Sequence, residues 1–132
     1  MNVRETEQDD ETVVSALFME IGISPALDGF GYLKEAIFAY KKNNGVMGNV
    51  CAEIAKNNDV TAYSVERTMR FAVNFAQDKG TFGRLNKVLG VDYVSPTVRV
   101  GAKEFISIVS EYVNNAYFRN EVLIRNLSNL RK

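Results

Sequence analysis

Histidine and tryptophan are absent from the 132 residues, cysteine occurs once and proline twice. Without histidine the chain lacks the commonest metal ligand and the commonest general base, which excludes zinc sites and Ser-His or Cys-His triads. The lone Cys51 cannot close an internal disulfide and reads as a small buried apolar residue. No apolar run approaches the roughly 18 residues that span a bilayer. The opening MNVRETEQDDE is acidic where a secretion signal is basic and then apolar, so a cytoplasmic protein without a membrane partner is expected. Carboxylates outside that opening stand at scattered single positions. No catalytic residue, metal or cofactor is therefore expected, and an enzyme is not.

What is present is a folded domain's composition, 46% hydrophobic and 24% charged. At this length one hydrophobic core is expected. The formal charge of zero hides an asymmetry: within residues 1–12 Arg4 stands against Glu5, Glu7, Asp9, Asp10 and Glu11, −4, while fifteen basic and eleven acidic residues elsewhere leave +4. A mildly basic body behind an acidic tail hints at a polyanionic partner.

Apolar residues recur at spacings of three and four, which predicts an all-α fold, a compact bundle of about six helices. Helices are expected near 11–22, 29–42, 46–57, 61–79, 82–89 and 101–117, with a last helical stretch near 119–130. Residues 1–11 read as an acidic, disordered tail, 12–117 as the domain and 118–132 as a helical extension. Gly22 and Gly80 can close helices in the left-handed conformation, and Thr81 can cap the next. The stretch GVDYVSPTVRVG, 90–101, is the longest irregular segment, with the β-branched content of a short extended arm.

Residues 53–70, EIAKNNDVTAYSVERTMR, have the spacing of a helix-turn-helix. That motif needs a small residue where the two helices cross, a turn residue that tolerates positive φ, and apolar anchors. Ala55, Asp59, and Val60 with Val65 fill these places, and Thr61 can cap the second helix. On a helical wheel Val65, Met69, Ala72 and Ala76 share one side, with Tyr63, Arg67, Arg70 and Asn74 opposite. Arginine can pair in bidentate fashion with guanine, and Glu66 can accept from cytosine or pair with Arg70 one turn on. The same stripe also suits a solvated face with one i,i+4 ion pair. Lys56, Lys79, Arg84 and Lys87 flank this helix as candidate phosphate contacts or ordinary surface cations.

The runs GYLKEAI, IAKNNDVTAYSVERTMRFAV and KEFISIV resemble, in order and approximate spacing over about residues 12–115, the C-terminal DNA-binding effector domain of the stage 0 sporulation protein A family of bacterial response regulators. The resemblance implies an all-helical domain whose helix 61–79 enters the major groove of a guanine-containing box in double-stranded DNA. It makes the chain a bacterial, sequence-specific transcription regulator. Glu66, Arg67 and Arg70 match the family's VERxxR, with Arg67 and Arg70 as base or phosphate readers. Residues 75–91 correspond to the family's region that contacts the RNA polymerase sigma subunit.

Three departures stand out. Ser64 occupies the place of a usual arginine, Phe71 that of a usual histidine, and an acidic tail stands in place of the receiver domain. Losing a bidentate contact costs about 1–3 kcal/mol of discrimination, so the preferred DNA sequence can differ. Residues 5–11 can compete with phosphate by folding over the basic face, or act as a solubilising end. The rival function is a module of the same fold that has lost part of its reading face and binds a regulator or polymerase. In the extension, Leu123, Leu127 and Leu130 form a stripe that can pack on the domain or make a homodimer contact through 119–130.

Overall fold

A computed structural model describes residues 3–95, 98–115 and 118–130. Among them regular structure is helical throughout: α1 (Val3–Ile21), α2 (Asp28–Ala39), α3 (Met47–Asn58), α4 (Ala62–Asp78), α5 (Arg84–Leu89), α6 (Ala102–Val113) and α7 (Ile124–Leu130), with a π-helical segment, Phe118–Leu123, leading into α7. The expected helices are all present. The second helix ends at Ala39 rather than 42 and the fifth begins at Arg84 rather than 82, and two boundaries differ by more. The first helix begins at Val3, ahead of the start expected near residue 11. The sixth stops at Val113, because the Asn114 amide turns back to donate to the Ser110 carbonyl at 2.8 Å and its hydroxyl at 2.9 Å. The expected helical residues 116 and 117 lie outside the described residues.

The core joins all the helices. Phe18 of α1 meets Phe30 of α2 edge-on at 5.6 Å between ring centroids and Phe105 of α6 at 5.8 Å, while Phe82 lies 5.5 Å from Phe105. Each such pair contributes about 0.5–1.5 kcal/mol beyond its burial. Gly22 takes φ +99° at the end of α1, and Thr81 lies against it. The Thr81 hydroxyl donates to the Ile21 carbonyl at 3.1 Å, so it joins the α4–α5 turn to α1; the residue at the N-cap of α5 is Gly83, not the expected Thr81.

α4 packs chiefly on α2 and α3, with α6 as a further neighbour. Its contact with α2 is close enough to require Gly29, where a Cβ would stand 2.6 Å from Ala72 Cβ and 2.7 Å from the Thr68 carbonyl oxygen. The C-terminal segment covers α1 and α5. Leu123 is fully buried, Leu127 nearly so, and Leu130 packs against the same core. The leucine stripe thus packs on this chain's own core.

Candidate nucleic-acid interface

The turn between α3 and α4 is set by local chemistry. Asp59 adopts the left-handed conformation, φ 55° and ψ 48°, and its N–H bonds back to the Ala55 carbonyl. Val60 N–H donates to that same carbonyl at 3.1 Å. An aspartate tolerates this conformation better than most residues because its short polar side chain can bond locally. Thr61 then starts α4 in extended geometry, and its hydroxyl accepts from the Ser64 N–H at 3.1 Å. Ala55 and Val65 are buried as expected. Val60 is not the anchor it was expected to be: it is 37% exposed, because Ile54, Ala55, Val65 and Met69 already fill the space between the helices.

The inner side of α4 buries Val65, Met69, Ala72, Val73 and Ala76. At about 100° per residue, Arg67 points opposite their midpoint and forms the outer ridge. Tyr63, Arg70 and Asn74 lie along one edge of this ridge; Ser64, Phe71 and Phe75 lie along the other. Arg67 is exposed and engages neither a carboxylate nor a hydrogen-bond acceptor among the described residues. Tyr63 is 69% exposed, the most open of the large apolar side chains.

The polar edge is already partly paired. Arg70 bonds Glu66 at 2.9 Å, one turn back along the helix. The Arg99 guanidinium reaches over from the segment before α6 to Asp78 at 2.9 Å, the Asn74 carbonyl at 3.1 Å and the Asn74 side-chain oxygen at 3.4 Å. Nothing in the spacing of the sequence marks Arg99 as a partner of residues 21 and 25 positions earlier. The same segment is sewn to α4 by Gln77, whose amide donates to the Val100 carbonyl at 2.9 Å and accepts from its N–H at 2.7 Å. Asn86 holds the strap in the same way through Tyr93 N–H, Val94 N–H and the Val94 carbonyl. A groove of about 620 Å³ runs beside this edge, lined by Met47, Cys51, Tyr63, Glu66, Arg70 and Lys103. Burial, and then the charge of Glu66, raise the Cys51 thiol pKa. That favours the neutral thiol and suits the buried apolar role expected of it.

The aromatic edge was not anticipated. Phe71 is 57% and Phe75 38% exposed, their rings stack with centroids 5.9 Å apart, and Lys79 sits 4.5 Å over the Phe75 ring. The remaining flanking cations diverge. Lys56 is exposed at the end of α3 and Lys87 on α5, whereas Arg84 is drawn to Glu20 of α1 at 3.2 Å. α5 packs against α1, α7 and the π-helical segment, so Arg84 lies against α1 rather than beside the ridge of α4. The acidic segment makes its described contact through Glu11, 3.1 Å from Lys34 of α2. No cluster of three or more Cys, Asp or Glu among the described residues could hold a metal, and no helix there is long and apolar enough to cross a membrane.

An all-helical domain in which a left-handed aspartate turn and a threonine cap present one helix's arginine ridge to solvent is a helix-turn-helix domain of the regulatory kind. Residues 14–113 match the family described as the sporulation initiation factor Spo0A C terminal, and the chain belongs to that family. Its members are DNA-binding effector domains of a sporulation regulator and are not a known enzyme family. The match takes in α2 to α6 and the C-terminal part of α1 from residue 14, and ends where α6 ends.

Proposed function

We propose that the chain is a sequence-specific, DNA-binding transcription regulator of bacterial cytoplasm, with α4 laid in the major groove. The observation that carries this reading is the state of Arg67: outermost on the second helix of the helix-turn-helix, exposed, and without a partner among the described residues. In such motifs the first turns of the second helix meet base edges, and an unpaired guanidinium can take guanine O6 and N7 together. Tyr63 and Ser64 stand beside it for hydrogen bonds to bases or phosphates. Glu66 holds Arg70, so that pair either reads as a unit or opens when Arg70 finds phosphate. Asn74, held by Arg99, lies toward the phosphate end of the same edge, with Lys56 and Lys79 as further backbone contacts. Arg84 and Lys87 are placed by the same reading farther out, within residues 75–91, the surface offered to the polymerase sigma subunit.

The test is a binding titration against random duplex and against duplexes selected from a random pool, at several salt concentrations. Sequence preference and a negative salt slope are expected. Arg67→Ala should cost about 1–3 kcal/mol of binding and relax the preference at one position. Arg70→Ala should weaken binding less, because the wild-type side chain must first leave Glu66. Absence of a shift with every duplex at low salt would sink this reading and leave the protein-interaction module in its place.

A further inference from the structure

Phe71 is a large apolar ring left 57% exposed in the middle of a helix whose aliphatic residues Val65, Met69, Ala72, Val73 and Ala76 are all buried. It is nonetheless held. Phe75 stacks on it at 5.9 Å with an interplanar angle of 25°, and Phe75 in turn carries the Lys79 ammonium 4.5 Å over its ring. One turn before Phe71 stands Arg67, and the two form walls of a shallow depression of about 310 Å³ with Tyr63, Ser64 and Thr68. The edge therefore runs cation, aromatic, aromatic, cation. The acids nearest this edge in sequence, Glu66 and Asp78, are committed to Arg70 and Arg99.

That order of chemistry matches a duplex groove better than a protein surface. The two cations at its ends complement phosphate and guanine acceptors, and the ring between them needs an apolar group. In the major groove that group is the C5 methyl of thymine, against which phenylalanine can pack. Four residues of helix advance about 6 Å, against about 3.4 Å between successive bases of a strand. Phe71 thus reaches one or two base pairs from Arg67.

We infer that Phe71 is a specificity residue that packs on the methyl group of a thymine one or two base pairs from the base met by Arg67. This rests on the DNA-binding reading above. The full chain is titrated with a duplex selected from a random pool, and then with the same duplex carrying 2′-deoxyuridine at each thymine in turn, which keeps the pairing and removes only the methyl. At one position, within two base pairs of the site of Arg67 discrimination, the replacement should weaken binding about fourfold, the equivalent of unburying one methyl-sized group. Phe71→Ala should bind both duplexes alike while melting with the unaltered chain, since the ring is mostly outside the core.

Equal binding of thymine and deoxyuridine duplexes at every position overturns the inference, as does discrimination that survives in Phe71→Ala. In both cases binding itself persists and the DNA-binding reading stands. Failure to bind any duplex removes both.

Discussion

Helix α4 and the C-terminal segment formed by the π-helical turn and α7 carry apolar pairs at the same four-residue spacing, and they meet opposite fates. Leu123 and Leu127 lie buried against the chain's own core, whereas Phe71 is 57% and Phe75 38% exposed. Periodicity is equally good in the two. The difference is vacancy: α1 and α5 leave a surface for the leucines to cover, but the inner side of α4 is already filled by α2, α3 and α6. An apolar residue on the outer side of α4 has no core left to enter. A stripe therefore announces a face, and the neighbours decide whether the face is structural or available.

The contrast can be broken by mutation. Leu123→Ala should have the largest effect on stability, about 2–5 kcal/mol, because the side chain is fully buried and the site is bounded by packed helices. Urea unfolding followed by circular dichroism reads this as a lowered midpoint. A loss under about 1 kcal/mol would mean that the segment is loosely attached and that its leucines are free for another partner. Thr61→Ala should come next, at about 1 kcal/mol, since it leaves the Ser64 N–H without its cap. The smallest effect is expected for Phe71→Ala, within about 0.5 kcal/mol, as for surface changes in general. A large loss there would place Phe71 in the structural class with the leucines and remove its availability to DNA.

A fourth test addresses the strap before α6. Tyr93 donates a hydrogen bond to Glu104, and burial, this bond and the carboxylate charge together push its pKa up to about 12, above the ordinary phenol value of 10.0. The folded state holds the phenol proton more tightly than the unfolded chain does. Its contribution is present in full below about pH 10 and is lost as pH rises from 10 towards 12. Tyr93→Phe should remove that part of the alkaline fall in stability, seen as a shallower decline of the melting temperature over the same range.

Much of the site was legible because it is local. The left-handed Asp59, the Thr61 cap, the buried Val65 and Ala55 and the outward Arg67 each depend on residues within a turn or two. The Glu66–Arg70 pair also follows from spacing four along a helix. Errors appear where a residue's surroundings come from far along the chain. Val60 is expected in the core and is 37% exposed, and Thr81 is expected to cap α5 and instead bonds to Ile21.

The order of the residues was enough to write the helices, the turn and the ridge of α4, since backbone dihedral preferences, capping bonds and 3.6-residue periodicity act over short stretches of chain. Tertiary packing alone decided that the last leucines are consumed within the protein, that Arg99 comes to lie over Asn74 and Asp78, and that Phe71 remains exposed beside Arg67. Those outcomes depend on which surfaces are left uncovered once every helix has packed, a property that no single segment of the chain contains.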